Sequence, residues 1–141
     1  MLFPTHNTED FADNDDFLDS TDFSDVRSVL NRLRIKNVNN VIVAHLNVNA
    51  VTNKIDSLRA LIPEFVEILI LGETKLNSSH TSSQLFINGF REPFRRDRGT
   101  YDGGGLLIYV RDDIPCRLLK KHTFDSYVEG MFIELSFRKC K

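Results

Sequence analysis

Several features that would assign a compartment or a cofactor are missing from this sequence. It has only two cysteines, Cys116 and Cys140, which form neither a disulfide framework nor a metal-ligand spacing. Both are expected to be reduced thiols of an intracellular protein. The four histidines, His6, His45, His80 and His122, show no zinc or nucleophile spacing, and His45 reads as a core histidine. No apolar run approaches the roughly 20 residues that a membrane-spanning helix needs, so no membrane partner is expected. The opening MLFPTHNTED lacks the basic region and apolar stretch of a secretory signal. The sequon Asn77-Ser78-Ser79 is therefore expected to stay unused. No internal repeat is visible.

Positive charge is missing from one end. Residues 1–25 carry eight acids (Glu9, Asp10, Asp13, Asp15, Asp16, Asp19, Asp22 and Asp25) and no Lys or Arg. Residues 26–141 then hold 12 acids against 18 Lys and Arg, a balance of +6. High like charge and little aliphatic content argue against a packed element in 1–25. That segment reads either as a solvated linker or as an acidic-aromatic stretch, with Phe3, Phe11, Phe17 and Phe23, that docks on a partner or shields the basic body. A basic body is compatible with a polyanionic ligand.

What is present is an ordinary globular composition, 41% hydrophobic and 27% charged over 141 residues. That is enough for one domain with a real core. Residues 26–37 contain a lead-in helix, VRSVLNRLRIK, with Val26, Val29, Leu30 and Leu33 at helical spacing. Val41–Ala44 is a short β-branched run that reads as a buried strand. Asn53–Ile62 repeats apolar residues at Ile55, Leu58, Leu61 and Ile62, one face of a helix that Pro63 stops. Ile68–Leu71 is a second buried strand, followed by Gly72-Glu73-Thr74-Lys75. Gln84–Phe90 is a candidate strand, Arg91–Asp102 a charged connection, and Leu106–Val110 a clear strand. Cys116–Lys121 reads as a short edge strand. Val128–Phe137 alternates Met131, Ile133, Leu135 and Phe137 with polar residues, as a half-buried strand does. The order is one β-α-β unit followed by several strands, giving an α/β or α+β domain.

If the first two strands lie parallel through the helix, their carboxyl ends share an edge. Open α/β sheets place ligands at that edge. Asn47, Asn49 and Glu73 would converge there. Glu73 reads either as a Mg²⁺ carboxylate, since that ion takes one or two carboxylates plus waters and substrate phosphate, or as a surface acid paired with Lys75. Asn47 reads either as an amide that orients a phosphate or water, or as a turn cap. Gly103-Gly104-Gly105 lacks the phosphate-loop spacing and precedes a strand, so a turn permitting close backbone approach is expected. Arg95, Arg96 and Arg98, flanked by Phe94 and Tyr101, form either a phosphate-contacting loop or a solvated charged one.

The blocks HLNVNAVTNKIDSL, ILILGETKL, FINGFREPFRRDR and GGGLLIYVRDDIP, in this order and spacing, resemble the endonuclease domain of non-LTR (LINE-type) retrotransposons. That family belongs to the exonuclease-endonuclease-phosphatase superfamily. The resemblance covers about residues 38–141. It implies a four-layer α/β sandwich with mixed β-sheets and flanking helices, of which this chain would hold the N-terminal half. It also implies Mg²⁺-dependent (or Mn²⁺-dependent) phosphodiester hydrolysis that nicks chromosomal DNA and primes a linked reverse transcriptase, hence a nuclear setting. Asn47 matches the active-site Asn, Glu73 the metal-binding Glu, and Asn49 a neighbouring Asn or Asp position. Asn49, Lys75, Arg95, Arg96 and Arg98 would face nucleic acid. The family's catalytic Tyr, Asp-x-Asn pair and water-activating Asp-His have no counterpart in these 141 residues, and Tyr109 and Tyr127 do not match the Tyr position. The chain is therefore expected to be an inactive, truncated fragment with apolar surface left uncovered. The alternatives are a non-catalytic nucleic-acid-binding remnant, a phosphatase of the same superfamily, or a partner-binding protein acting through residues 1–25.

Overall fold

A computed structural model describes residues 23–98, 103–123 and 129–137. The architecture is mixed α/β. Helix α1 (Phe23–Lys36) leads into β1 (Val43–Asn47), helix α2 (Ile55–Leu61) and β2 (Ile68–Gly72). Then come β3 (Phe94–Arg96), β4 (Leu106–Val110), β5 (Cys116–Thr123) and β6 (Glu129–Leu135). Four strands form one mixed sheet in the order β1-β2-β4-β3, and β5 with β6 forms a separate two-stranded sheet. Strands β1 and β2 are parallel, with Asn47 opposite Gly72. Strand β4 runs antiparallel to both β2 and β3.

The two faces of the sheet are covered differently. One carries α2 and its flanking 3-10 turns, which bury Val51, Ile55, Leu58, Leu61 and Ile62 against Leu69, Leu71, Leu107 and Tyr109. On the other, Ile68, Ile108 and Val110 meet Met131, Ile133 and Leu135 of the β5–β6 hairpin. Strands β2 and β4 are therefore apolar along their whole length, because both of their faces are buried. No helix among the described residues is long and apolar enough to cross a membrane.

Helix α1 is tied down by charge as much as by its apolar stripe. Val26 and Leu30 pack on the core, whereas Val29 and Leu33, expected on the same face, are exposed. Arg34 Nη2 donates to the Phe65 carbonyl at 2.7 Å and to Glu67 Oε1 at 2.6 Å. Glu67 is buried and also accepts from Arg111 Nη1 at 2.9 Å and from the Ile42 amide at 2.7 Å. This carboxylate, preceding β2, joins α1, the residue before β1 and the turn after β4.

Several expectations need correction. The first strand runs Val43–Asn47 rather than Val41–Ala44, so Asn47 is its last residue. His45 lies on its exposed face and is not a core histidine. The apolar residues of 84–90 form no strand. A 3-10 helix at Ser82–Leu85 is closed by a capping box between Thr81 and Gln84, and Leu85, Ile87 and Phe90 reach the core from loop backbone. Conversely, the charged connection 91–102 contains β3, pinned by β4. The helix expected at Asn53–Ile62 is α-helical only over Ile55–Leu61. Phe137 lies beyond the end of β6 and is exposed. Tyr101, Tyr127 and the acidic residues of 1–22 lie outside the described residues.

Candidate functional site

The carboxyl ends of β1 and β2 are zipped to each other and then to the turn before β4. Beyond Asn47, the Val48 amide donates to the Gly72 carbonyl, Ala50 to Glu73 and Val51 to Thr74, at 3.0, 2.9 and 3.1 Å. On the other side, the Thr74 amide donates to the Gly105 carbonyl at 3.3 Å and the Lys75 amide to that of Gly104 at 3.0 Å. Beyond the strand ends, three backbone segments, 48–51, 73–75 and 104–105, thus lie side by side without regular strand geometry.

Backbone strain collects in these segments. The positive-φ residues other than glycine among those described are Asn49, Ala50, Glu73 and Lys75, at φ 41, 81, 54 and 53°. All four belong to this edge. Such conformations cost about 1–3 kcal/mol each in side-chain-bearing residues and concentrate at functional sites. Gly103, Gly104 and Gly105 follow at φ 107, 73 and 91°, which glycine tolerates because it has no Cβ. A Cβ on Gly105 would run into Thr74 Oγ1. The triglycine is therefore the close-approach turn expected from sequence.

Asn47 and Glu73 sit on neighbouring strand ends at this edge, Asn47 pairing with Gly72. Asn47 is exposed, and its Oδ1 accepts the Asn49 amide at 3.2 Å. Glu73 Oε2 accepts the Gly104 amide at 2.7 Å. It is this peptide, not Lys75, that satisfies the acid. Asn49 and Lys75 are exposed at the rim. Lys54, from the start of α2, donates to the Val48 carbonyl and braces the loop from beneath.

The three arginines divide. Arg95 faces the 77–80 turn, donating to the carbonyls of His80 and Asn77 and to both Asp97 oxygens. Its guanidinium is taken up within the chain. Arg96 and Arg98 instead approach Glu129, with Nε to Oε1 distances of 3.8 and 3.5 Å. Sequence reasoning missed Glu129. It begins β6, and its Oε2 accepts the Gly105 amide at 3.1 Å. No local pattern announces that contact, which exists only because the hairpin returns over the sheet. Thr74, also missed, is buried with its hydroxyl lacking a hydrogen-bond partner among the described residues.

A divalent cation fits this donor set in part. Glu73 offers a carboxylate oxygen beyond the one on Gly104, and the Asn47 amide is open to solvent. Among the described residues no group of three or more His, Cys, Asp or Glu side chains is arranged to hold a metal ion. One carboxylate and one amide suit Mg²⁺, which keeps several waters and shares its shell with substrate phosphate, but not a dedicated protein cage. No family model matches the chain, and no curated protein matches it.

Proposed function

We propose that this chain is the metal- and phosphate-holding half of a Mg²⁺-dependent phosphodiesterase of the non-LTR retrotransposon endonuclease type. DNA would be its substrate, in the nucleus, with a reverse transcriptase domain in the parent protein. The observation that carries the reading is the placement of Asn47 and Glu73 on adjacent ends of a parallel strand pair, where the backbone that follows is strained. The stacking of α2, mixed sheet and β5–β6 hairpin supports the finer reading as part of a four-layer sandwich.

Glu73 and Asn47 would hold the ion, which supplies Lewis-acid stabilisation of charge on phosphate oxygens. The Asn47 amide has an N–H pair to orient a phosphate. Lys75 and Arg98, both exposed, add positive charge along the rim. Activation of water falls to groups that these 141 residues do not supply, since no Asp-His or Asp-x-Asn pair occurs in them.

The test is Mn²⁺ binding by the 141-residue chain, followed by electron paramagnetic resonance. Wild type should bind, E73A should lose binding, and N47A should weaken it. Supercoiled plasmid incubated with the same chain and Mg²⁺ should stay intact. Absence of Mn²⁺ binding in wild type sinks the metal reading. Nicking that E73A abolishes overturns the assignment of water activation to other residues.

A further inference from the structure

The triglycine turn links two carboxylates that are far apart in sequence. Consecutive amides serve them: Gly104 donates to Glu73 at 2.7 Å, and Gly105 donates to Glu129 at 3.1 Å. Three glycines in a row have almost no conformational preference of their own, so the direction of the Gly104 N–H must be set from outside the turn. Two of the anchors, the amides of Thr74 and Lys75, belong to the Glu73 segment itself. Glu129 is an independent anchor, because it comes from the hairpin layer. Its side chain is only 14% exposed, and its other oxygen faces Arg96 and Arg98.

We propose that Glu129 is a positioning residue for Glu73. By holding the Gly105 amide it fixes the turn, so that Gly104 caps one oxygen of Glu73 and leaves the other directed at the cation. The role in metal binding rests on the function proposed above; the mechanical link does not. The arginine pairs alone do not account for this arrangement. At 3.5 and 3.8 Å they are long for charge-assisted hydrogen bonds.

The experiment is amide hydrogen exchange by NMR on the 141-residue chain as wild type, E129A and E129Q. In E129A the Gly104 amide should exchange about tenfold faster or more, as expected when a bond to a charged acceptor is lost. The buried β4 residue Leu107 should keep its protection. E129Q retains an acceptor for Gly105 and should leave Gly104 within about threefold of wild type. If E129A does not fold, E129D withdraws the carboxylate by one methylene and should accelerate Gly104 in the same way. Unchanged Gly104 exchange in a folded variant overturns the proposal. So does a parallel loss of protection at Gly104 and Leu107, which marks a merely structural role. Mn²⁺ affinity, measured on the same samples, should fall in E129A and recover in E129Q; an unchanged affinity in E129A also overturns the positioning role. A wild type that binds no Mn²⁺ removes the metal reading, while the exchange data still decide the link.

Discussion

Ala50 bears a Cβ at φ 81° and ψ 103°, a region that only glycine enters without cost. Its amide is held by the Glu73 carbonyl, so the strain is imposed by the strand pairing rather than chosen locally. A50G should therefore stabilise the fold, by up to about 1 kcal/mol, since relief of the native conformation outweighs the added freedom of the unfolded chain. Gly105 is the opposite case. G105A adds a methyl against Thr74 Oγ1 at φ 91° and should cost about 1–3 kcal/mol. Urea denaturation of the two variants checks both signs. At this scale the sequence was informative about Asn47 and Glu73, which sit where strands end. It was silent on Ala50, Glu73 and Lys75 as positive-φ positions, because none of these residue types favours that backbone. Only the three-segment hydrogen bonding forces them there.

Helix α1 illustrates how an element can be read correctly and its docking missed. Its helical periodicity is plain, yet Val29 and Leu33 face solvent and the attachment runs through Arg34 to Glu67. Glu67 sits between Val66 and Ile68 and reads as the ragged end of an apolar run. Its burial follows from two arginines arriving from opposite sides, one of them 44 residues away. Removing this buried acid strips Arg34 of its carboxylate and the Ile42 amide of its acceptor, while Arg111 keeps Asp113, and costs about 3 kcal/mol. E67A should lower the unfolding free energy by that amount and free α1 to exchange its amides, as native-state hydrogen exchange would report. Strands β2 and β4 were legible because burial on both faces makes them continuously apolar. The segment 84–90 was misread because Leu85, Ile87 and Phe90 fill the core from a loop, and apolar content alone does not distinguish a plug from a strand.

Across the whole molecule, pH should act on stability through the phenol at its centre. Tyr109 is fully buried in β4, edge-on to Phe90, and its hydroxyl donates to the Leu85 carbonyl at 2.8 Å. Burial pushes this phenol well above its ordinary value, against a weaker opposing pull from Arg59. The fold therefore keeps the proton that an unfolded tyrosine releases near pH 10. Its contribution is fully present below about pH 10 and declines as pH rises beyond it. Thermal unfolding across pH 8–12 should show this fall in wild type. Y109F, less stable at neutral pH for lack of the hydrogen bond, should show a flatter alkaline limb. An equally steep limb in Y109F would place the titration elsewhere.

The central strand also sets a schedule for synthesis. Strand β2 pairs with β1, which leaves the ribosome before it, and with β4, which follows roughly forty residues later. At about 5–20 residues per second, that gap lasts about two to eight seconds. Throughout it, one edge of this apolar strand lacks β4, and the surface of Ile68, Leu69 and Leu71 waits for Leu107, Ile108 and Val110. The nascent chain should thus present a chaperone-binding segment at 68–71 that disappears once residue 110 has cleared the exit tunnel.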